Sequence, residues 1–343
     1  MWFALLAVMA CSGPAQQGVS VSKPEYQRAT GQAFGTTWNV TWRGDLTAEQ
    51  ATSRIDRALA LVDAQMSTWR EDSEISRARR TPEGVAVHAD TATVVQHALA
   101  VAERSGGAFD PTVQPLIEVW GIHGPRRAQA PTEAELTEAR AQVDHRKVTV
   151  EERAGEWWLT TGGTALDLSA IAKGFAVDRV HAALVSQAPD VLVEIGGEVR
   201  ASGDGPRGVW TLGVDRPEVG SAPGTDLVAM VPLNNQAMAT SGNYRNAYEV
   251  DGQTVVHTLD PRMGRPVQTE VLSVTVVAED CMTADAWATA LMVLPLNEGQ
   301  PLVASMPGVE ALWFVSSPTG LTSVSTDGVA WVIRGDSAPD GIH

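Results

Sequence analysis

The chain has 343 residues and carries 41 Asp and Glu against 25 Lys and Arg, a net charge of -16. Its 44% hydrophobic and 19% charged residues describe an ordinary folded protein and not a disordered one. The acidic balance, with no basic run interleaved with aromatics, argues against a nucleic-acid backbone as partner, and the length suffices for one large domain or two closely packed ones.

Residues 1–10, MWFALLAVMA, form an apolar run too short to span a bilayer. The run ends in Ala10, and Cys11 follows, then a stretch rich in Ser, Gly, Pro and Gln. This pattern resembles a bacterial lipoprotein signal, with Cys11 as the lipidated first residue of the mature chain. The expected location is therefore the periplasmic side of a bacterial membrane, the inner membrane before the outer. Residues 11–31 are expected to be a tether, 32–335 a domain of two intimately packed lobes, and 336–343 a tail. Cys281, the other of the 2 cysteines, is then left without an intrachain partner, so no disulfide framework is expected.

FGTTWNVTW at 34–42 alternates and is rich in Thr and Trp, which predicts a strand. Thr47 and Gln50 form a capping box that opens a helix running to about Gln65, with Ile55, Leu59, Leu61 and Val62 on or near one face. A second helix is expected over 91–104, ending at SGG. A third is expected over 130–143, with Thr132 and Glu135 as its capping box. Beyond residue 147 the chain turns β-rich, from KVTVEE through to VAWVIRG, interrupted by helices at 170–187 and 281–293. There is no internal repeat and no membrane-spanning run. The expected class is α+β, mixed sheets with packed helices.

The helix at 281–293, CMTADAWATALMV, is apolar except for Asp285, with Thr289 one turn further on the same face. A buried carboxylate costs several kcal/mol unless it is compensated. The candidate partners are an Arg or Lys, a set of backbone N–H groups, or a metal. Carboxylate, hydroxyl and carbonyl oxygens together suit Mg²⁺. From these two residues alone, a helix edge facing solvent is the simpler reading.

Other segments are unusual in the same modest way. In TALDLSAIAKGFAVDRV, a strand ends near Asp167 and leads into a helix with Lys173 in its first turn, where N–H groups point at anions. Ser169 could equally be a plain N-cap there. VEIGGEVRASG places two glycines in a strand, followed by a charge, which suggests a bulge or a close approach. His257, ahead of the DPRMG turn, could act as a general base or be structural. Trp69 stands in a polar loop, suited to stacking on a flat ring. Asp110 lies in a Gly- and Pro-flanked turn. No zinc spacing, P-loop, GxSxG or GxGxxG occurs.

In order along the chain, FGTTW, MSTWREDSEIS, GGAFDPTVQPL, LDLSAIAKGFAVDRV, VEIGGEVRASG, ATSGNYRN, HTLDPRMGRPV and SVTVVAEDCMTADAWATALMVL span residues 34–294. Together they resemble the ApbE-type FAD:protein FMN transferases, once called thiamine biosynthesis lipoproteins. The resemblance implies an α+β flavin transferase domain that binds FAD with Mg²⁺ and splits its diphosphate. FMN is then joined through a phosphoester to a Thr or Ser hydroxyl of an acceptor protein, and AMP is released. The acceptors it implies are flavin-carrying subunits of membrane redox complexes, with a motif of the type (Asp/Ser)-Gly-x-(Ser/Thr)-(Gly/Ala)-Thr.

By the same resemblance, Asp285 and Thr289 fall on metal-ligand positions and Ala170 on a position that supplies a backbone carbonyl. Phe34, Trp69, Ala108, Phe109, Asp110, Asp167, Lys173 and Leu259 fall on flavin-nucleotide contacts. His257 falls on a histidine that assists catalysis, with Asp285 as the other candidate base. The chain departs from its relatives in having Phe34 where Met is frequent, Trp69 where Tyr is common, and Ala288 where some have a further Asp. The rival readings are a Mg²⁺-dependent FAD pyrophosphatase, with water in place of the hydroxyl, and a non-catalytic flavin-binding lipoprotein.

Overall fold

The computed structural model describes residues 25–334 except 82, 123–126, 128, 219–221, 223, 244–247, 251–252 and 319. The signal segment, Cys11 and the expected tail lie outside the described residues. The first element is a hairpin of strands β1 (Gln27–Ala33) and β2 (Thr36–Arg43). Its two-residue loop puts Phe34 at φ 52° and Gly35 at φ 74°, as a tight hairpin twist requires. So the stretch expected to be tether already enters the sheet at Gln27, and Phe34 turns the chain instead of lying in a strand.

Helix α1 (Ala48–Met66) opens with the Thr47–Gln50 capping box, both of its reciprocal hydrogen bonds formed. The short helix α2 (Glu74–Arg80) follows and was not legible as a helix, being only 7 residues with three arginines. Strand β3 (Val85–Val87) leads to α3 (Ala89–Arg104), two residues longer at its start than expected. Next come α4 (Gln114–Trp120), closed by left-handed Gly121, and α5 (Glu133–Arg140), opened by the Thr132–Glu135 capping box. Strands β4 (Thr149–Arg153) and β5 (Glu156–Thr160) pair with β3 in a small sheet. Helix α6 (Ala172–Leu184) begins after Ile171 with no side-chain cap. Ser169 is therefore not its cap; its N–H is instead donated to Asp167 Oδ1 at 2.7 Å.

Strands β6 (Asp190–Ile195) and β7 (Glu198–Ser202) form a second tight hairpin. Its loop is Gly196–Gly197, both at positive φ, so these glycines make a turn and not the bulge expected inside one strand. The remaining strands are β8 (Asp204–Gly205), β9 (Gly208–Asp215), β10 (Leu227–Leu233), β11 (Ala237–Gly242), β12 (Tyr248–Val250), β13 (Gln253–Val255), β14 (Leu259–Asp260), β15 (Arg265–Pro266), β16 (Val271–Ala278), β17 (Glu310–Ser317), β18 (Gly320–Ser325) and β19 (Val332–Ile333). Helices α7 (Cys281–Val293) and α8 (Leu296–Ala304) lie between β16 and β17. Eight strands form the main antiparallel sheet in the order β1-β2-β6-β7-β11-β16-β17-β18, and a second sheet runs β19-β10-β9-β8. The α+β class expected from the sequence is the class observed.

Helices α6 and α7 pack on the main sheet and against each other. α7 is apolar over most of its surface because most of it is covered: Ala284, Ala288, Ala290, Leu291 and Met292 have no accessible surface. Burying a side chain such as Leu291 stabilises by about 1.5–3 kcal/mol. The seam between the two helices is set by Gly174. A Cβ there would lie 2.3 Å from the Cys281 carbonyl oxygen and 2.8 Å from Asp285 Cβ, so only glycine lets the helices approach this closely.

Candidate active site

A cleft of about 840 Å³ opens beside this seam. It is lined by Ala108, Phe109, Asp110, Asp167, Ala170, Lys173, His257, Leu259, Asp285 and Thr289, so most residues singled out in the sequence converge on one cavity. Phe34 and Trp69 are not among the residues that line it. Phe34 is half-buried against the main core, and Trp69 stands 74% exposed in the connection between α1 and α2.

Asp285 is 4% exposed, so the sequence-level alternative of a solvent-facing helix edge is overturned. Its partners come from α6. The Gly174 N–H donates to Oδ2 at 2.9 Å, and Lys173 Nζ lies 3.6 Å from Oδ1. The same ammonium donates to Glu198 Oε1, from β7, at the shorter distance of 2.8 Å. The buried cluster thus holds two carboxylates and one ammonium. Burial pushes the Glu198 carboxyl up and Asp285 adds to this, while the Lys173 ammonium that donates to it opposes the shift. Burial acts to lower the Lys173 value, but Asp285 and Glu198 together raise it, so the ammonium stays charged. The second Glu198 oxygen, Oε2, is buried and has no hydrogen-bond partner.

Thr289 lies one turn along α7 from Asp285, with its hydroxyl 3.3 Å from Ser241 Oγ on β11. Ala170 belongs to the turn that leads into α6 and faces the same cleft. Among the described residues no three His, Cys, Asp or Glu side chains converge as a metal cluster. The donor set available is one carboxylate, one hydroxyl and a backbone carbonyl. All three are hard oxygen donors in a pocket with surplus negative charge, and they fit Mg²⁺ with the remaining positions left to water and phosphate.

The rest of the wall is held by local hydrogen bonds. Asp110 Oδ1 accepts from the Thr112 N–H at 2.8 Å and its hydroxyl at 2.6 Å, and Oδ2 lies 2.8 Å from His145 Nδ1. The Asp167 N–H donates to the Pro111 carbonyl at 2.8 Å, which ties the 108–112 turn to the segment entering α6. His257 precedes β14, and the β14–β15 hairpin is anchored by the Trp120 indole donating to the Gly264 carbonyl at 2.9 Å. Sequence reading missed Glu198 and Ser241 as parts of this site, and His145 as the partner of Asp110. For Glu198 the signal was present as a charge directly after two glycines, but its reach to Lys173 depends on strand pairing.

The ApbE family profile matches residues 34–313. The FAD:protein FMN transferase of Vibrio cholerae is 37% identical over 325 residues, covering 92% of each chain. The solved Vibrio cholerae flavin transferase ApbE superposes with a TM-score of 0.78 at 34% identity, over 88% of this chain and 97% of that one. The Pseudomonas stutzeri flavinyl transferase ApbE, in its apo form, gives 0.77 at 30% identity, over 89% and 96%. The α+β fold is thus that of a flavin-transferring enzyme class. The chain belongs to the ApbE family.

Proposed function

We propose that this chain is a Mg²⁺-dependent FAD:protein FMN transferase that acts on a Thr or Ser hydroxyl of an acceptor flavoprotein. The observation that carries the reading is the buried Lys173–Glu198–Asp285 cluster on the cleft wall, one positive charge short of neutrality. Asp285, Thr289 and the Ala170 carbonyl would hold the cation, which when bound neutralises diphosphate charge and favours departure of AMP. Lys173, on the same wall, would contact the nucleotide. Asp167, Asp110 and the 108–109 backbone shape the nucleotide side of the cleft.

In the reaction the acceptor hydroxyl oxygen forms a bond to the FMN phosphorus. The bond from that phosphorus to the bridging oxygen breaks, and AMP leaves with the electron pair. His257, on the cleft wall, would receive the hydroxyl proton, with Asp285 the other group that could do so. The acceptor is expected to carry the (Asp/Ser)-Gly-x-(Ser/Thr)-(Gly/Ala)-Thr motif, and lipid on Cys11 would hold the enzyme at the periplasmic membrane face where such acceptors lie.

Incubation with FAD, Mg²⁺ and an acceptor domain, followed by denaturing gel electrophoresis, tests the reading. Fluorescence in the acceptor band with release of AMP is expected. FMN and AMP in solution without labelled acceptor would mark a pyrophosphatase, and unchanged FAD a carrier.

A further inference from the structure

Lys173 stands between two buried carboxylates and is not shared evenly. It lies 2.8 Å from Glu198 Oε1 but 3.6 Å from Asp285 Oδ1. Glu198 is only 5% exposed, and its backbone is fixed by pairing with Ile195 across the β6–β7 hairpin. That hairpin turns on Gly196, where a Cβ would meet Thr36 Cγ2 at 2.8 Å, so the glycine keeps the turn tight against β2. A rigid carboxylate therefore holds a flexible ammonium off its neighbour.

We propose that Glu198 is a positioning residue that keeps Lys173 from closing on Asp285, so that Asp285 remains available to a divalent cation. This rests on the reading of Asp285 and Thr289 as cation ligands. Without Glu198, Lys173 has one anionic partner left in the cluster, and the two would form a closed ion pair that a cation must first break. With Glu198 in place, the ammonium is already satisfied and the surplus negative charge of the cluster falls on Asp285. Glu198 does not itself touch the cation in this account.

The test is Mn²⁺ binding to the full chain without nucleotide, followed by electron paramagnetic resonance, in four proteins: unsubstituted, Glu198→Gln, Lys173→Met, and the double variant. Loss of a supporting partner of a metal ligand typically weakens binding 10- to 100-fold, and roughly a tenfold weakening is expected for Glu198→Gln. The double variant, in which no ammonium can close on Asp285, is expected to bind at least as tightly as the unsubstituted protein. Thermal melting of each variant shows whether the fold is kept, and the comparison is made only among folded proteins; Glu198→Asp, which keeps the charge, is expected to restore part of the affinity. Unchanged affinity in Glu198→Gln would overturn the proposal. So would an equal loss in the single and double variants, because Glu198 would then be a ligand or a purely structural residue. Failure of the unsubstituted protein to bind Mn²⁺ would instead overturn the cation reading itself, and this inference with it.

Discussion

Helices α6 and α7 and strand β7 bury two charge clusters, each with one contribution from each element, and the two are built to opposite ends. In the first, Asp178 of α6 pairs with Arg200 of β7 at 2.6 Å and accepts from the first amides of α7, Cys281 N–H at 3.0 Å and Met282 N–H at 2.9 Å. One negative charge meets one positive charge, and the free N–H groups of a helix start are satisfied. In the second, Lys173, Glu198 and Asp285 leave one negative charge over, and that surplus faces the cleft. Burial of a carboxylate does not by itself mark a functional site. On the proposed reading, the uncompensated charge is what sets the second cluster apart.

The two clusters should respond in opposite ways when their α6 or α7 carboxylate is replaced. Asp285→Asn is expected to reduce FMN transfer more than about 100-fold, the consequence of losing several kcal/mol of charge stabilisation. Its melting temperature should not fall, because one of two facing carboxylates is neutralised. In-gel flavin fluorescence and calorimetry read the two effects separately. Asp178→Ala is expected to do the reverse. It leaves a partly buried guanidinium and two helix amides without their partner, at a cost of about 2–3 kcal/mol. Urea titration should show that loss, while the folded fraction keeps its transfer rate.

Gly174→Ala should push the seam apart under both clusters. The added methyl meets backbone at 2.3 Å, and overpacking of this kind costs about 1–3 kcal/mol. Stability and cation affinity should fall together in that variant.

Acid should attack the balanced region. His181 of α6 is buried with its Nε2 2.9 Å from Ser202 Oγ, and burial, with Arg200 adding to it, lowers its value to about 4. A depressed histidine contributes stability that is intact above its unfolded value of 6.5 and is lost as pH falls toward 4. The expected loss by pH 5 is on the order of 2 kcal/mol, and His181→Gln should flatten that part of the pH–stability curve. The smallest effect expected is for Thr47→Ala, which removes the α1 capping box far from either cluster. It should cost about 1 kcal/mol in denaturant and nothing in transfer.

What the sequence disclosed follows from the range of each interaction. The two capping boxes, at Thr47–Gln50 and Thr132–Glu135, are contacts over three residues and were readable as such. The misfit of Asp285 in an apolar helix was also local, and the residue is buried as that misfit required. The short helices α2 and α4 carry too few turns to show a period, and β1 was hidden in a polar stretch because both its neighbours and its burial come from β2. The Glu198–Lys173 contact joins residues 25 apart, and Asp285 meets Gly174 across 111 residues. Such pairings are made by strand register and helix crossing, which no local pattern encodes. The balanced Asp178–Arg200 pair was invisible for the same reason, so the contrast between the two clusters emerges only in three dimensions.

The most direct measurement is a crystal structure of the protein with FAD and Mn²⁺, read by the anomalous signal of the metal. The account predicts a peak at Asp285, Thr289 and the Ala170 carbonyl, with Lys173 still on Glu198. No peak in that pocket, or Lys173 closed onto Asp285 with the dinucleotide bound, would contradict it.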